Sequence, residues 1–178
     1  MAIKSAQILS LDMEDINRQS QQSVDQGAVT KDYGLDVHQA CQLLNDALAT
    51  EILCVLRYRH HEVIAKSIDS PQVAAEFKEH AEQEQQHMMM IAERINQLGG
   101  DPDFNPATIS ERTATNYGTA TSLADMIKED LIAERVVISI YKKMIEWFGH
   151  SDPTTRRMLE EILEDEEEHA DDLSDLLT

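Results

Sequence analysis

Apolar residues at helical spacing constrain the fold of this chain more than any other feature. Between positions 44 and 65 they recur at alternating steps of four and three with few interruptions, so they share one face of a long helix. A matching stripe runs from position 127 to position 148, and shorter stripes cover residues 91–98 and 159–176. Long amphipathic helices bury their apolar faces by packing together, and no segment competes as a strand. The sequence therefore predicts an all-α protein built as a four-helix bundle.

Proline and capping signals divide the chain into the predicted helices. Ser70 before Pro71 and Asp152 before Pro153 have the pattern of an N-cap followed by proline in the first turn. A glycine follows the second and the third helix, where it can terminate each of them. The predicted helices span about residues 35–68, 71–98, 122–148 and 153–178.

The connections between these helices predict how the bundle is arranged. Short turns join the first helix to the second and the third to the fourth, whereas residues 101–121 form a long connection with Asp-Pro and Asn-Pro turns. We therefore expect an up-down bundle of two hairpins with one long crossover between the second and third helices. Residues 1–35 are polar, lack a sustained period and are predicted to carry at most short helical pieces. The predicted organisation is a polar N-terminal extension, 1–35, followed by a bundle domain, 36–178.

Two glutamates interrupt the apolar stripes of the first and third helices. Glu51 is the only charged residue in the stretch 47–56, and Glu134 holds the corresponding place in the third helix. Tyr58 and Tyr141 each follow the glutamate of their helix by seven residues. A carboxylate buried without a partner is costly and usually takes up a proton, so something must compensate both glutamates.

A Glu-x-x-His motif lies on the inward face of the second and fourth helices, as Glu84 with His87 and Glu166 with His169. Each motif follows the lone glutamate of its half by 33 or 32 residues. Two divalent ions would compensate the four carboxylates and two imidazoles that meet inside the bundle, and this donor set suits iron or manganese better than structural zinc. The predicted metal ligands are Glu51, Glu84, His87, Glu134, Glu166 and His169.

The charge balance favours cations as partners. The 178-residue chain has 15 Lys and Arg against 34 Asp and Glu, a formal net charge of −19, which opposes binding to nucleic acid and to anionic membranes. Cys41 and Cys54 lie too far apart on one helix to pair. Since the chain also lacks a secretory signal and an apolar run long enough to cross a membrane, we expect a cytoplasmic protein without nucleic-acid or membrane partners.

Four segments, ALATEILCVLRY, EQQH, DLIAERVVISIY and EEEH, carry a resemblance to a known family. Over roughly residues 36–178 the chain resembles the ferritin-like di-iron carboxylate proteins, particularly bacterioferritins and Dps-like mini-ferritins. Bundles of this kind bind their metals through one glutamate from each of two helices and a Glu-x-x-His motif from each of the others. The resemblance implies terminal ligands at Glu51 and Glu134, bridging ligands at Glu84 and Glu166, and one imidazole per ion from His87 and His169.

The resemblance also assigns expectations to residues around the metals. Tyr58 stands where the family keeps a tyrosine beside the site, so we predict a catalytic role for it. Tyr141 is either an ordinary core residue or a second tyrosine of this kind. Asp130 matches an acidic position of the family and is expected to orient a ligand histidine.

The function implied by the resemblance is ferroxidase activity with iron storage and detoxification. Such a protein oxidises Fe²⁺ with O₂ or H₂O₂ at a di-iron centre within each subunit and sequesters Fe³⁺ in an oligomeric shell. An alternative is a di-iron or di-manganese peroxidase or catalase that acts on peroxide without bulk iron storage, although the paired CxxC motifs usual in a rubrerythrin are absent. A DNA-protecting mini-ferritin is a third possibility, but residues 1–35 lack its basic tail.

Haem and the size of the shell are further expectations. Bacterioferritins bind haem through a methionine directly after the ligand glutamate of the second helix, whereas this chain has Gln85 there, so haem is not expected unless Met89 substitutes. Only nine residues follow His169, too few for the fifth helix of 24-subunit ferritins. We therefore expect a homo-oligomer that is a dodecamer rather than a 24-mer.

A polar group on the second helix has two interpretations. His80, Glu76, Glu79 and Gln83 share a face that either holds entering iron or is simply solvated. The solvated face is the favoured interpretation.

Overall fold

The chain is described by a computed structural model that covers residues 10–24, 27–68 and 70–177. The predicted end of the last helix at Thr178 and the first nine residues of the predicted extension lie outside this description. The described residues form helices and no strands. The helices are α1 Met13–Gln22, α2 Val37–Ser67, α3 Pro71–Gln97, α4 Pro106–Arg112, α5 Leu123–Phe148 and α6 Pro153–Asp175.

The four long helices form the bundle that the sequence predicts. Helix α2 packs along α3 and helix α5 along α6, and the two hairpins meet where α2 contacts α5 and α3 contacts α6. The all-α up-down arrangement with a long crossover after α3 is therefore confirmed. No helix in the described part of the chain is both long and apolar enough to cross a membrane.

Three of the long helices begin after a residue whose side chain caps the helix N-terminus. Asp36, Ser122 and Asp152 accept bonds from backbone N–H groups in the first turns of α2, α5 and α6. Ser70 also lies at the N-cap position of α3, but its side chain makes no capping bond. The start of α3 therefore depends on Pro71, whose ring favours helical geometry in the first turn.

The crossover contains a short helix, α4, that the sequence analysis missed. Asn105 caps it by accepting a bond from Ala107 N, and Pro106 occupies its first turn. The Asn-Pro pair was interpreted as a turn, although it has the same cap-plus-proline pattern that starts α6. Helix α4 packs against α2 and so fastens the crossover to the first hairpin. In the N-terminal extension, α1 is short and buries none of its residues.

Two apolar clusters fill the bundle, one on each side of a polar layer. One cluster includes Leu44, Leu48 and Ile95. The other includes Phe77 and Met126. The buried glutamates lie at the level between them, because the apolar stripe of each long helix is interrupted there. The fold thus surrounds a charged layer with hydrocarbon, which raises the cost of leaving any charge in that layer unpaired.

A buried ion pair ties the two hairpins together at one end of the bundle. Arg94 on α3 donates to both carboxylate oxygens of Asp152 at 3.0 Å, and Asp152 also accepts from Thr155 N at 2.8 Å. Tyr33, in the segment before α2, donates its hydroxyl to the same carboxylate at 2.7 Å. One side chain therefore caps α6 and holds both α3 and the extension.

Replacing Asp152 should destabilise the protein far more than replacing an ordinary capping aspartate. Asp152→Ala removes a helix cap and leaves the buried Arg94 unpaired, so the free energy of unfolding should fall by about 3–5 kcal/mol. Asp36→Ala is the matched control, because Asp36 caps α2 through Gln39 N but is exposed, and its loss should lower that free energy by about 1 kcal/mol. Urea unfolding of the metal-free variants measures both values, and equal losses would contradict this account.

Candidate metal centre

Each long helix contributes one buried glutamate to the polar layer. Glu51, Glu84, Glu134 and Glu166 are fully buried, and the two histidines of the Glu-x-x-His motifs are at most 2% exposed. The six predicted ligands form two groups of four, and within each group the ligand atoms lie within 4.8 Å of one another. The groups are Glu51, Glu84, His87 and Glu166, and Glu84, Glu134, Glu166 and His169.

The shared members of the two groups are Glu84 and Glu166. A carboxylate that belongs to both groups can give one oxygen to each of two neighbouring ions. Each group then has one further glutamate and one histidine of its own. This sharing is compatible with bridging roles for Glu84 and Glu166 and terminal roles for Glu51 and Glu134, which stay predictions.

Both histidines turn the same ring nitrogen toward the carboxylates. The Nδ1 atom of His87 lies 3.2 Å from Glu166 Oε1 and 3.5 Å from Glu84 Oε2. The Nδ1 atom of His169 lies 3.6 Å from Glu166 Oε2 and 3.7 Å from Glu84 Oε1. The Nδ1 atoms are therefore the ones placed to bind metal, and each Nε2 points away from the centre.

Each outward-facing Nε2 atom has a polar partner on the opposite hairpin. Asp165 Oδ2 lies 2.9 Å from His87 Nε2, and Gln83 Oε1 lies 2.9 Å from His169 Nε2. Such partners hold a ligand imidazole in one orientation with the proton on the outer nitrogen. Neither role was expected from the sequence, although each partner directly precedes the glutamate of a Glu-x-x-His motif.

The two tyrosines also bond across the hairpins. Tyr58 donates its hydroxyl to Glu134 Oε1, and Tyr141 donates its hydroxyl to Glu51 Oε1. Burial and the neighbouring carboxylates raise the pKa of both phenols well above the usual value, so both remain protonated donors. The structure gives them equivalent positions, whereas the sequence analysis favoured Tyr58.

Asp130 does not orient a ligand histidine, so that prediction is wrong. Its carboxylate accepts from Arg57 Nε at 2.7 Å and lies 2.8 Å from Nδ1 of His61, which belongs to neither ligand group. Arg57 also donates to the carbonyl of Asn116 at 3.0 Å and thereby ties α2 to the crossover. The fully buried guanidinium is a positive charge close to the centre that the sequence analysis overlooked.

The solvated interpretation of the polar face on α3 is wrong for His80. Its side chain is 1% exposed, and its ring stacks on that of His169 with centroids 4.1 Å apart. Burial and the nearby His169 lower the pKa of His80 to about 4, so its ring is neutral near pH 7. Of its predicted neighbours, Glu79 is exposed and Gln83 bonds His169.

The pKa values of four of the six predicted ligands are raised, which favours their protonated forms when no metal is bound. Burial and repulsion by Glu84 and Glu166 raise the pKa of Glu51 and Glu134 well above the usual value. For His87, burial disfavours the charged ring, but the close carboxylates outweigh it and raise the pKa to about 12. The same balance between burial and carboxylates raises the pKa of His169 to about 11.

The atoms that line the centre fit metal ions. Within the described residues, eight buried ligand atoms of these side chains have no hydrogen-bond partner: Glu51 Oε2, both Oε of Glu84 and Glu166, Glu134 Oε2, and Nδ1 of His87 and His169. Buried polar atoms are rarely left unpaired, and so many in one place indicate a missing partner. Six hard oxygens and two imidazole nitrogens suit two ions of iron or manganese.

Comparison with known proteins agrees with the fold. Residues 41–178 match the ferritin-like domain, so the chain belongs to the ferritin-like family. A nutrient stress-induced DNA-binding protein of a Synechococcus species is 30% identical over an alignment of 137 residues, and the match covers 74% of this chain and 77% of that protein. A bacterioferritin of Desulfovibrio desulfuricans is 28% identical over 129 residues, 72% of this chain and 68% of that protein.

A solved structure extends this similarity to nearly the whole chain. The dodecameric thioferritin described as the bacterioferritin-related protein from Bacteroides fragilis has a TM-score of 0.77 at 29% identity and covers 92% of both chains. The predicted family and the ferritin-like four-helix fold are therefore confirmed.

Metal binding should release protons, because the metal-free centre holds them on its ligands. At pH 7 His87 and His169 each carry a proton that a cation must displace, so at least one proton should leave per bound ion. Affinity for Co²⁺ should therefore rise as the pH rises. Calorimetric titration with Co²⁺ in buffers of different ionisation enthalpy counts the protons, and binding without proton release would contradict the assigned ligands.

Proposed function

We propose that this protein is a ferroxidase that oxidises Fe²⁺ within each subunit and stores the ferric product in an oligomeric shell. The observation that carries the proposal is the pair of overlapping ligand groups, which share Glu84 and Glu166 and have one imidazole each. This arrangement can hold two iron ions side by side. Two adjacent ferrous ions can supply the two electrons that reduce O₂ or H₂O₂.

The reaction needs electrons from iron and protons from the surroundings. Two Fe²⁺ ions lose one electron each, and O₂ takes these two electrons with two protons to give H₂O₂. With H₂O₂ as oxidant, the two electrons and two protons give two molecules of water. The iron is the substrate, and the chain's task is to bind two ions close together and to balance their charge.

The side chains around the ligands keep them ready for iron. Asp165 and Gln83 hold the imidazoles so that Nδ1 faces inward. Tyr58 and Tyr141 each hold one oxygen of a terminal glutamate, which leaves the other oxygen free for iron. We propose that Tyr58 also has the catalytic role predicted from its position, and Tyr141 is placed to share it.

The family and the exposed apolar side chains both support the proposed homo-oligomeric shell. The similar Bacteroides fragilis protein is described as dodecameric. In this chain Leu56 and Val63, which lie seven residues apart on one face of α2, are 51% and 60% exposed, and Ile132 on α5 is 63% exposed. Exposed apolar side chains that lie together on one face, as Leu56 and Val63 do, are compatible with a surface that another subunit covers. We propose a dodecamer.

DNA binding is not part of the proposal, although a similar Synechococcus protein is named for it. The net charge of −19 opposes the phosphate backbone, whose attraction for basic residues supplies most nonspecific affinity. Haem is not proposed either, because Gln85 holds the position of the expected methionine. The two cysteines are free and buried, as suits the reducing cytoplasm that we propose as the location.

The alternative is a di-iron or di-manganese enzyme that consumes peroxide without storing iron. The same six ligands would serve such an enzyme. Storage distinguishes the two functions, because a peroxidase retains only the ions of its active centre.

Removing a terminal ligand should stop fast iron oxidation. Glu51→Ala or Glu134→Ala leaves one ion short of a carboxylate, so the initial rate of Fe²⁺ oxidation should fall by about 100-fold or more. Both variants should fold, since losing one of four mutually repelling carboxylates relieves repulsion. Glu146→Ala, at an exposed position of α5, is the control and should keep the wild-type rate. The absorbance of the ferric product measures the oxidation rate. Wild-type rates in both ligand variants would refute the ligand assignment.

Storage should retain far more iron than the two ions of the centre. After aerobic addition of a few hundred Fe²⁺ per shell, iron should co-elute with the protein in size-exclusion chromatography, as expected if it enters a closed cavity. Native mass spectrometry should give a mass near twelve chains of 20.1 kDa. Retention of only about two ions per chain would favour the peroxide-consuming enzyme, and a mass near twenty-four chains would disprove the dodecamer.

A further inference from the structure

A second group of metal-ligating side chains lies outside the two ligand groups of the centre. Glu76 and His80 are one turn apart on α3, and Asp172 faces them from α6. Their ligand atoms lie within 4.8 Å of one another. None of the three residues belongs to either ligand group of the centre.

The environment of His80 is separate evidence that this group binds a cation. The side chain is 1% exposed, and neither of its ring nitrogens has a hydrogen-bond partner. A buried imidazole without a partner loses its hydration with nothing in return. Its Nε2 atom faces the two carboxylates, so a cation placed between them would satisfy it.

The distances within the group are those of ligands around a shared ion. His80 Nε2 lies 3.4 Å from Glu76 Oε1 and 3.6 Å from Asp172 Oδ2, without hydrogen-bond geometry to either. Two ligand atoms bound at about 2.1 Å to one ion lie about 3.0–3.5 Å apart. The group therefore needs little rearrangement to bind a cation.

The position of the group connects solvent with the centre. Glu76 and Asp172 are 33% and 46% exposed at their side chains, whereas the other end of the group is the buried ring of His80. That ring stacks on His169, which is a predicted ligand of the centre. An ion held by the two carboxylates would thus lie between solvent and the His169 side of the centre.

We propose that Glu76, His80 and Asp172 form a third divalent-cation site, which holds Fe²⁺ in transit between solvent and the ferroxidase centre. One imidazole and two carboxylates suit borderline divalent ions such as Fe²⁺, Co²⁺ and Zn²⁺. The transit role rests on the proposed ferroxidase function, whereas binding of the ion does not depend on it.

The test counts ions without relying on activity. Wild-type protein is dialysed against Co²⁺ in 150 mM NaCl, a concentration that screens weak surface binding at about an 8 Å Debye length. Glu76→Gln combined with Asp172→Asn removes both carboxylates, which are partly exposed, so the fold should be kept. The control combines Glu93→Gln with Asp171→Asn, which removes the same charge from exposed positions of the same two helices. His80→Phe keeps a ring against His169 and removes both nitrogens.

We expect three Co²⁺ ions per chain in the wild type and in the control, and two in both site variants. Anomalous diffraction from Co²⁺-soaked wild-type crystals should show a peak among Glu76, His80 and Asp172. Two ions in every protein, with no such peak, would overturn the third site and leave the centre intact. No bound ions at the central ligands would instead overturn the proposed function.

The transit role has its own measurement. With less than two Fe²⁺ per chain, the site variant with both carboxylates removed should oxidise iron about tenfold more slowly than the charge-matched control, because the local supply of cations falls. The final amount of iron oxidised should be equal in the two proteins. Equal initial rates would overturn the transit role.

Discussion

Four carboxylates in the middle of a hydrocarbon core are the constraint on which the rest of this structure depends. Such a concentration of negative charge cannot persist in a low dielectric without counter-charge. The core is accordingly divided into two apolar clusters with the polar layer between them. Protons, the buried Arg57 and, in our proposal, iron ions balance the charge of that layer. The two apolar clusters therefore both position the carboxylates and enclose their charge.

The two hairpins complete one another at the centre. The hydrogen bonds that hold the ligands cross from one hairpin to the other: Tyr58 reaches Glu134, Tyr141 reaches Glu51, and Asp165 and Gln83 each hold the histidine of the opposite motif. Neither hairpin alone has a full ligand group. Docking of the hairpins and formation of the centre are therefore one event.

The burial of Glu51 and Glu134 could be predicted from the sequence because each interrupts an apolar stripe. A glutamate in an apolar stripe, such as Glu51, is conspicuous at helical spacing. Contacts between helices cannot be recognised from the sequence pattern. The role of Asp165 and the pairing of Asp130 with Arg57 depend on how the helices are rotated relative to one another. The burial of His80 was missed for the same reason, since its sequence neighbours are polar. Helix α4 was missed because its Asn-Pro start also begins turns.

One difference between the otherwise matched halves has an electronic consequence. The outer partner of His87 is a carboxylate, Asp165, whereas the outer partner of His169 is the neutral amide of Gln83. An imidazole that donates to a carboxylate gains electron density at its opposite nitrogen and becomes the more basic ligand. His87 is therefore the more basic of the two imidazoles, and in the proposed centre an ion bound by His87 would have the stronger nitrogen donor. The two halves, although they repeat one ligand pattern, would therefore give the two proposed metal positions nitrogen donors of unequal strength.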